Sequence, residues 1–320
     1  MTNFRRRRKL DLHLHLDGAI RTRTILELAD DLGVTLPART EKALERRVTV
    51  TPHCRSLLDF LKCFDVFMPV TRSATAMERI AYELCEDQAA DGVVYFEARY
   101  AALLQAPALT IVESVEAALE GLRRGQRDFK IRAGLILCGM RTSPPATTLA
   151  TAKVAVSHPG VVGLDIAGDE RAPLAPHAAA FRFARKHDLP FTIHAGEAGP
   201  ARNVREAIEL GASRIGHGIR VVEDAETLEF AVKRGVTFEI CLTSNLQTRG
   251  VASLKRHPIG RLRAAGARVT LNTDDPAVSR ITLSDEYEVA AKTFGFGERD
   301  FAEFEENARR AAFSPSTTSY

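Results

Sequence analysis

Short apolar runs rich in Val, Ile, Leu and Phe recur along the chain, most of them flanked by Gly or Pro. They are KLDLHLHL (9–16), VVYFEARY (93–100), KIRAGLILCG (130–139), VVGLDIAG (161–168), PFTIHAG (190–196), RIGHG (214–218), TFEICLTSN (237–245) and RVTLNTDD (268–275). Runs of this length and composition predict buried parallel strands. The segments between them read as helices. Ile25, Leu28, Ala29 and Leu32 follow i, i+3, i+4, i+7 spacing. Thr24 and Glu27 fit a capping box, and Gly33 fits a helix stop. Between the fifth and sixth runs, Asn203 and Glu206 open a helix that Gly211 closes. Eight such alternations predict an α/β chain folded as a (β/α)8 TIM-type barrel. The competing open, doubly wound sheet would carry a Gly-rich phosphate turn after an early strand, and the sequence has none.

A length of 320 residues suits one barrel domain over 1–320, large enough to bury its core without staples. Residues 37–92 separate the first two strands by much more than one crossover helix. This helical insertion carries an apolar stripe of Leu57, Phe60, Leu61 and Phe64. The stripe either packs on the barrel or forms a lid facing an apolar ligand, and different residues can do each.

Charge adds an exclusion. There are 44 Lys+Arg against 41 Asp+Glu, a net +3. Five of the positives are the run Arg5–Lys9, so the remaining 39 basic residues face 41 acidic ones. The body therefore offers no electrostatic footprint for nucleic acid. The run itself, short and without interleaved aromatics, reads as a solvated tail rather than a binding arm. Five dispersed cysteines with no CxxC pair read as reduced thiols of a cytoplasmic protein. No apolar run is long enough to cross a membrane. Asp11, His13, His15 and Asp17 interrupt any apolar stretch behind the basic start, which argues against a signal peptide. The sequence is silent on oligomeric state.

The unusual polar residues fall where a barrel of this type builds active sites, at the C-terminal ends of strands. His13 and His15 end the first strand, and Asp17 and Gly18 follow. Gly168 follows the fourth, His194 ends the fifth with Glu197 three residues on, His217 ends the sixth, and Asp274 and Asp275 end the eighth. Spacing of two puts His13 and His15 on one strand face, which points inward in a closed barrel. One inward histidine is usually a hydrogen-bonded core residue. Two on one face, with a third histidine and an aspartate across the barrel, would be costly to bury without a shared partner. A divalent cation meets that need, and three imidazoles plus one carboxylate with one position open suit catalytic zinc.

HLHLDGA (13–19), SLLDFLKCFDVFMP (56–69), RIAYELCEDQAADGVVYFEARY (79–100), VVGLDIAGDE (161–170), HAGEAG (194–199), RIGHGI (214–219), TSNLQT (243–248) and LNTDDP (271–276) occur in this order. Together they resemble the adenosine deaminase family of the amidohydrolase superfamily, over most of the chain. The resemblance implies one zinc ion per subunit, held by His13, His15, His194 and Asp274. It implies that Glu197 protonates the purine ring nitrogen beside the attacked carbon. His217 would orient the attacking water and help take its proton. Asp275 would contact the imidazole-ring nitrogen, the Gly168 N–H the remaining pyrimidine-ring nitrogen, and Asp17 the ribose 5′-hydroxyl. Leu57, Phe60, Leu61 and Phe64 would form the apolar cover. The chemistry is coherent. Zinc lowers the pKa of water to roughly 7, and a positioned acid at the ring nitrogen is worth about 10²–10⁴ in rate.

Many amidohydrolases hold two metals bridged by a modified lysine at the fourth strand. The chain has LDIAGDE there, so one metal is expected. The HxE and PCxxC signature of the polynucleotide deaminases is absent. The chain reads HLDG and GHG where related adenine deaminases tend to have HLEG and a DHG-like segment. Asp17, shorter than Glu, leaves room for ribose, and it would repel a 5′-phosphate. The expected substrates are therefore adenosine and 2′-deoxyadenosine. Adenine, an adenosine-like metabolite such as aminodeoxyfutalosine, or a catalytically silent nucleoside-binding role are the alternatives. Three departures from the family stand out: Leu242 and Ala102 where Pro is common, and a polar SPSTTSY ending where relatives usually continue into another helix.

Overall fold

A computed structural model describes residues 4–314, so most of the SPSTTSY ending lies outside the described residues. Eight strands follow in chain order: β1 (Lys9–His15), β2 (Val93–Tyr100), β3 (Arg132–Met140), β4 (Val161–Ala167), β5 (Thr192–Ala195), β6 (Arg214–His217), β7 (Thr237–Ile240) and β8 (Arg268–Leu271). They pair in parallel in two four-stranded sets, β1 to β4 and β5 to β8. Single parallel bridges, Leu164 to Phe191 and Leu14 to Asp274, join the sets into a closed ring. The expected barrel is present, with the helical insertion after β1. Helices α1 (Thr22–Leu32), α2 (Glu41–Val48), α3 (Leu57–Phe67) and α4 (Ala74–Ala90) precede β2, and α5 (Ile111–Phe129) follows it.

The barrel interior departs from the usual layers of aliphatic side chains. Glu97, Arg99, Asp165, Arg214 and Glu239 are all buried inside it. Arg99 binds Asp165 at 2.8 Å and Glu239 at 3.0 Å. Arg214 binds Glu97 at 2.6 Å and also Glu239. Phe313 closes the lower end, with the Arg214 guanidinium 3.6 Å from its ring centroid and its own N–H donated to Glu97. Each charge has an opposite partner, which is what makes such burial tolerable.

Several local expectations need correction. The seventh run is a strand only to Ile240, and Leu242–Gln247 is a short helix. Strand eight ends at Leu271, so Asp274 and Asp275 lie on the turn beyond it. Asp274 has φ +66°, a left-handed conformation that ends a strand. Helix α1 starts at Thr22 and has no side-chain cap; Thr24 donates instead to Glu83. Gly33 does close it, at φ +65°. The helix Ala201–Leu210 is preceded by Pro200 rather than capped by Asn203. The basic run is not simply a solvated tail. Lys9 is buried, and its ammonium donates to the carbonyls of Phe4, Arg7 and Asp91. Arg7 pairs with Glu298 and Glu305.

Helices α4 and α5 pack closely across two glycines. A Cβ on Gly121 would lie 2.1 Å from the Glu78 carbonyl oxygen, and one on Gly125 would lie 2.5 Å from Cys85 Cβ. Alanine would add about 1 kcal/mol of helix propensity. Overpacking costs about 1–3 kcal/mol, and a backbone oxygen cannot rotate away. Gly121→Ala is therefore expected to destabilise the protein in denaturant unfolding, and an unchanged or higher midpoint would show that the helices can separate freely.

Candidate active site

A cavity of about 340 Å³ opens at the C-terminal ends of the strands. His15, Asp17, Gly168, His194, Glu197, His217, Asp274 and Asp275 line it, with Leu57, Phe60, Leu61 and Phe64 of α3 on the other side. His13 lies beneath it, fully buried. The stripe both packs on the barrel and borders the cavity. Phe60 belongs to the buried core, Leu61 and Phe64 pack against that core, and all four stripe residues face the cavity.

His13, His15, His194 and Asp274 bring four donor atoms within 4.8 Å of one another. His13 Nε2 and His15 Nε2 lie 3.2 and 3.3 Å from Asp274 Oδ1, and the Nε2 atoms of His15 and His194 are 3.3 Å apart. The outer nitrogens are held. His13 Nδ1 donates to Glu239 at 2.8 Å, and His194 Nδ1 lies 2.9 Å from Asp165. This leaves the Nε2 lone pairs directed at one point, the arrangement that outer carboxylates impose on metal-binding histidines. His13 Nε2 is buried with no hydrogen-bond partner. The donor set therefore fits a divalent cation.

Electrostatics agree. Burial pushes the His194 imidazole down to about 3 and lowers that of His13. Burial would also lower His15, but Asp275, Asp274 and Asp17 raise it to about 9. Acids that favour a proton there favour a cation equally. Burial opposes the Asp274 charge, yet His217, His13 and His15 hold its carboxyl well below the usual range. A second trio, His217, Cys241 and Asp274, also clusters. Burial and nearby carboxylates push the Cys241 thiol far up, which makes it a poor ligand because metals bind the thiolate.

The short helix after β7 carries partners for three of these groups. Its first N–H groups, on Leu242 and Thr243, donate to the buried Glu286 carboxylate at 2.8 and 3.0 Å. Leu242 thus supplies an N–H that the family's proline would lack. Ser244 donates to Asp274 at 2.6 Å, Asn245 meets His217 at 3.0 Å, and Thr248, just beyond the helix, donates to Glu197 at 2.7 Å. Ala102, the other departure near the site, is buried and opens a 3-10 turn, Ala102–Gln105. Glu170 fixes the loop after β5, accepting from the N–H groups of Gly196, Glu197 and Ala198 and from Asn203. Glu197 Oε2 then stands 3.7 Å from His217 Nε2. Burial and the nearby Asp274 raise the Glu197 carboxyl above its ordinary value, although His217 opposes them.

Asp17 and Asp275 are both buried, and one oxygen of each has no partner in the protein. Burial raises both carboxyls, Asp275 strongly because Asp274 is adjacent. Gly18 makes room for this pair, since a Cβ there would sit 1.9 Å from Asp275 Oδ1. An unsatisfied buried acceptor costs about 1–3 kcal/mol, and both of these oxygens border the cavity. Sequence reasoning missed Ser244 and Thr248, although TSNLQT contains them. It also missed Glu239, Asp165 and Arg99. Their signal was a charge inside a strand otherwise fit for burial on both faces. Nothing in the sequence pattern singled out Arg72, Cys138 or Met140, which also line the cavity.

Among the described residues, no helix is long and apolar enough to cross a membrane. Residues 8–319 match the adenosine deaminase family. The chain is 38% identical over 310 residues to the adenosine deaminase of Streptococcus mutans, covering 96% of this chain and 88% of that one. Solved structures share the fold, among them the following. An amidohydrolase from Burkholderia ambifaria with bound Zn aligns with TM-score 0.88 at 26% identity, over 99% of this chain and 88% of that one. The adenine deaminase of Arthrobacter aurescens gives 0.87 at 26%, over 96% and 94%. The Arabidopsis N6-mAMP deaminase gives 0.87 at 29%, over 99% and 96%. With its strand-end histidines and aspartates around one cavity and this match over nearly its whole length, the chain belongs to the adenosine deaminase family.

Proposed function

We propose that this protein, as one metal-dependent hydrolase barrel domain, converts adenosine and 2′-deoxyadenosine to inosine and deoxyinosine with release of ammonia. One zinc ion per subunit would be held by His13, His15, His194 and Asp274. The 3.2 and 3.3 Å separations among these donor atoms would let all of them reach one ion. When bound, zinc supplies the Lewis acid that makes water nucleophilic near neutral pH. Five free thiols support a reducing, cytoplasmic setting.

The observation that carries the substrate assignment is the pair of buried, unpartnered carboxyl oxygens on Asp17 and Asp275. Asp275, with its raised carboxyl, can donate a proton to the imidazole-ring nitrogen of a purine. Asp17 can accept from a ribose 5′-hydroxyl. Gly168 would offer its N–H to a pyrimidine-ring nitrogen. Glu197, also raised by burial, would give its proton to the ring nitrogen beside the attacked carbon while His217 orients the attacking water. The α3 side chains would exclude bulk solvent. The Arabidopsis relative acts on a nucleotide, and Arg72 at the cavity favours AMP as the second reading. A 5′-phosphate, however, would bring like charge against Asp17.

Ammonia release from adenosine, 2′-deoxyadenosine, adenine, AMP and aminodeoxyfutalosine decides among these readings. Adenosine and deoxyadenosine should turn over fastest, and fast turnover of another with none of adenosine would overturn the assignment. Glu197→Gln should retain one zinc per chain by elemental analysis while kcat falls by about 10²–10⁴-fold, the usual worth of a positioned acid. Loss of the metal in that variant would show that Glu197 belongs to the ligand set.

A further inference from the structure

A chain of buried hydrogen bonds runs outward from His217, away from the cavity. His217 Nδ1 meets Asn245 Nδ2 at 3.0 Å, Asn245 Oδ1 meets His257 Nε2 at 3.1 Å, and the backbone N–H of Ile259 donates to His257 Nδ1 at 3.1 Å. Asn245, His217 and His257 are all buried. No bound water or ligand is needed to orient this chain, because its last member is a backbone N–H that can only donate.

Each proton follows from that anchor. His257 Nδ1 accepts from Ile259, so the one proton of its neutral ring sits on Nε2. Burial pushes His257 down to about 3, so the ring is neutral at ordinary pH. Its Nε2–H donates to Asn245 Oδ1, which fixes the Asn245 amide. A flipped amide would set two donors against each other. The Asn245 NH2 then faces His217 Nδ1, which must accept. The anchor is local in sequence. Pro258 lies between His257 and Ile259, and its missing N–H leaves the Ile259 N–H as the donor that reaches the ring.

We infer that Asn245 and His257 are positioning residues that lock His217 with its proton on Nε2, so that this ring enters the reaction as a hydrogen-bond donor and not as a base. Its Nε2 faces the cavity, 3.7 Å from Glu197 Oε2 and 3.8 Å from Asp274 Oδ2. With Nε2–H directed there, the ring holds the attacking oxygen by donating to it, and the water's proton must leave by another group. Glu197 is the nearest carboxyl to that N–H outside the metal-binding quartet, and once it has given its own proton to the ring nitrogen its carboxylate can take the water's proton. This reading rests on the proposed deaminase chemistry only for its consequence. The tautomer itself is independent of any substrate.

The test is 15N NMR of histidine-labelled, zinc-loaded protein, with the His217 signals identified by their loss in His217→Gln. The wild type should show a bare Nδ1 and a protonated Nε2. Asn245→Asp keeps the side-chain volume but replaces the donor with an acceptor. It should move the His217 proton to Nδ1 and lower kcat by about 100-fold, at the upper end for loss of such an outer partner, with a smaller change in KM. A protonated Nδ1 in the wild type would overturn the inference. So would an Asn245→Asp protein in which the tautomer reverses and kcat does not fall. If adenosine proves not to be the substrate, the wild-type spectrum still decides the tautomer.

Discussion

The site depends on the seam where the barrel closes. The His15 N–H donates to the Asp274 carbonyl at 2.7 Å, and the Asp274 N–H donates to the His13 carbonyl at 2.8 Å. These two backbone bonds join the first strand to the turn after the last. They also bring two imidazoles of one strand, His13 and His15, beside a carboxylate 261 and 259 residues away in sequence. Closure and assembly of the donor set are one event. Asp274 sits at φ +66° and His217 at φ +59°, sparsely populated conformations for residues with side chains. Such strain persists only where surrounding structure over-determines it, and here the seam and the helix after β7 do so.

Beneath the seam, the charges inside the barrel tie the donors together. Arg99 holds Asp165, which orients His194, and also Glu239, which orients His13. One guanidinium thus sets the aim of two imidazoles on opposite sides of the ring. Burial opposes the charges on Asp165 and Glu239. His194 and Arg99 still hold Asp165 at about 2, and Arg99, Arg214 and His13 hold Glu239 well below its ordinary value. An aliphatic core would fill the same space, but it could not fix which nitrogen of each histidine faces the centre. Removing one partner from such a set leaves a buried, uncompensated charge, which costs about 3–5 kcal/mol.

The helix after β7 and Glu170 do for Glu197 and His217 what Arg99 does for His13 and His194. Glu286 caps that helix, and the helix and its next residue present Ser244, Asn245 and Thr248 to Asp274, His217 and Glu197. These groups come from four strand ends, β1, β5, β6 and β8, and His13, His194, Glu197, His217 and Asp274 each meet a side chain from another element.

The sequence alone determined much of this. Buried parallel strands leave their mark as short apolar runs, so the eight strands, the barrel and the insertion were legible without coordinates. Period two placed His13 and His15 on one face, because side-chain alternation in a strand is local geometry. What needed the tertiary structure was every relation between distant segments. The end of β8 before Asp274, the helix at Leu242 and the burial of Lys9 depend on partners elsewhere in the chain, as does the pairing of Arg99 with two carboxylates. The direction of each proton around His217 also depends on Asn245 of the short helix after β7 and on His257 of the loop beyond it. Local pattern fixes which face a side chain takes, whereas hydrogen-bond polarity is set by whichever buried group lies opposite, and only the closed barrel decides that.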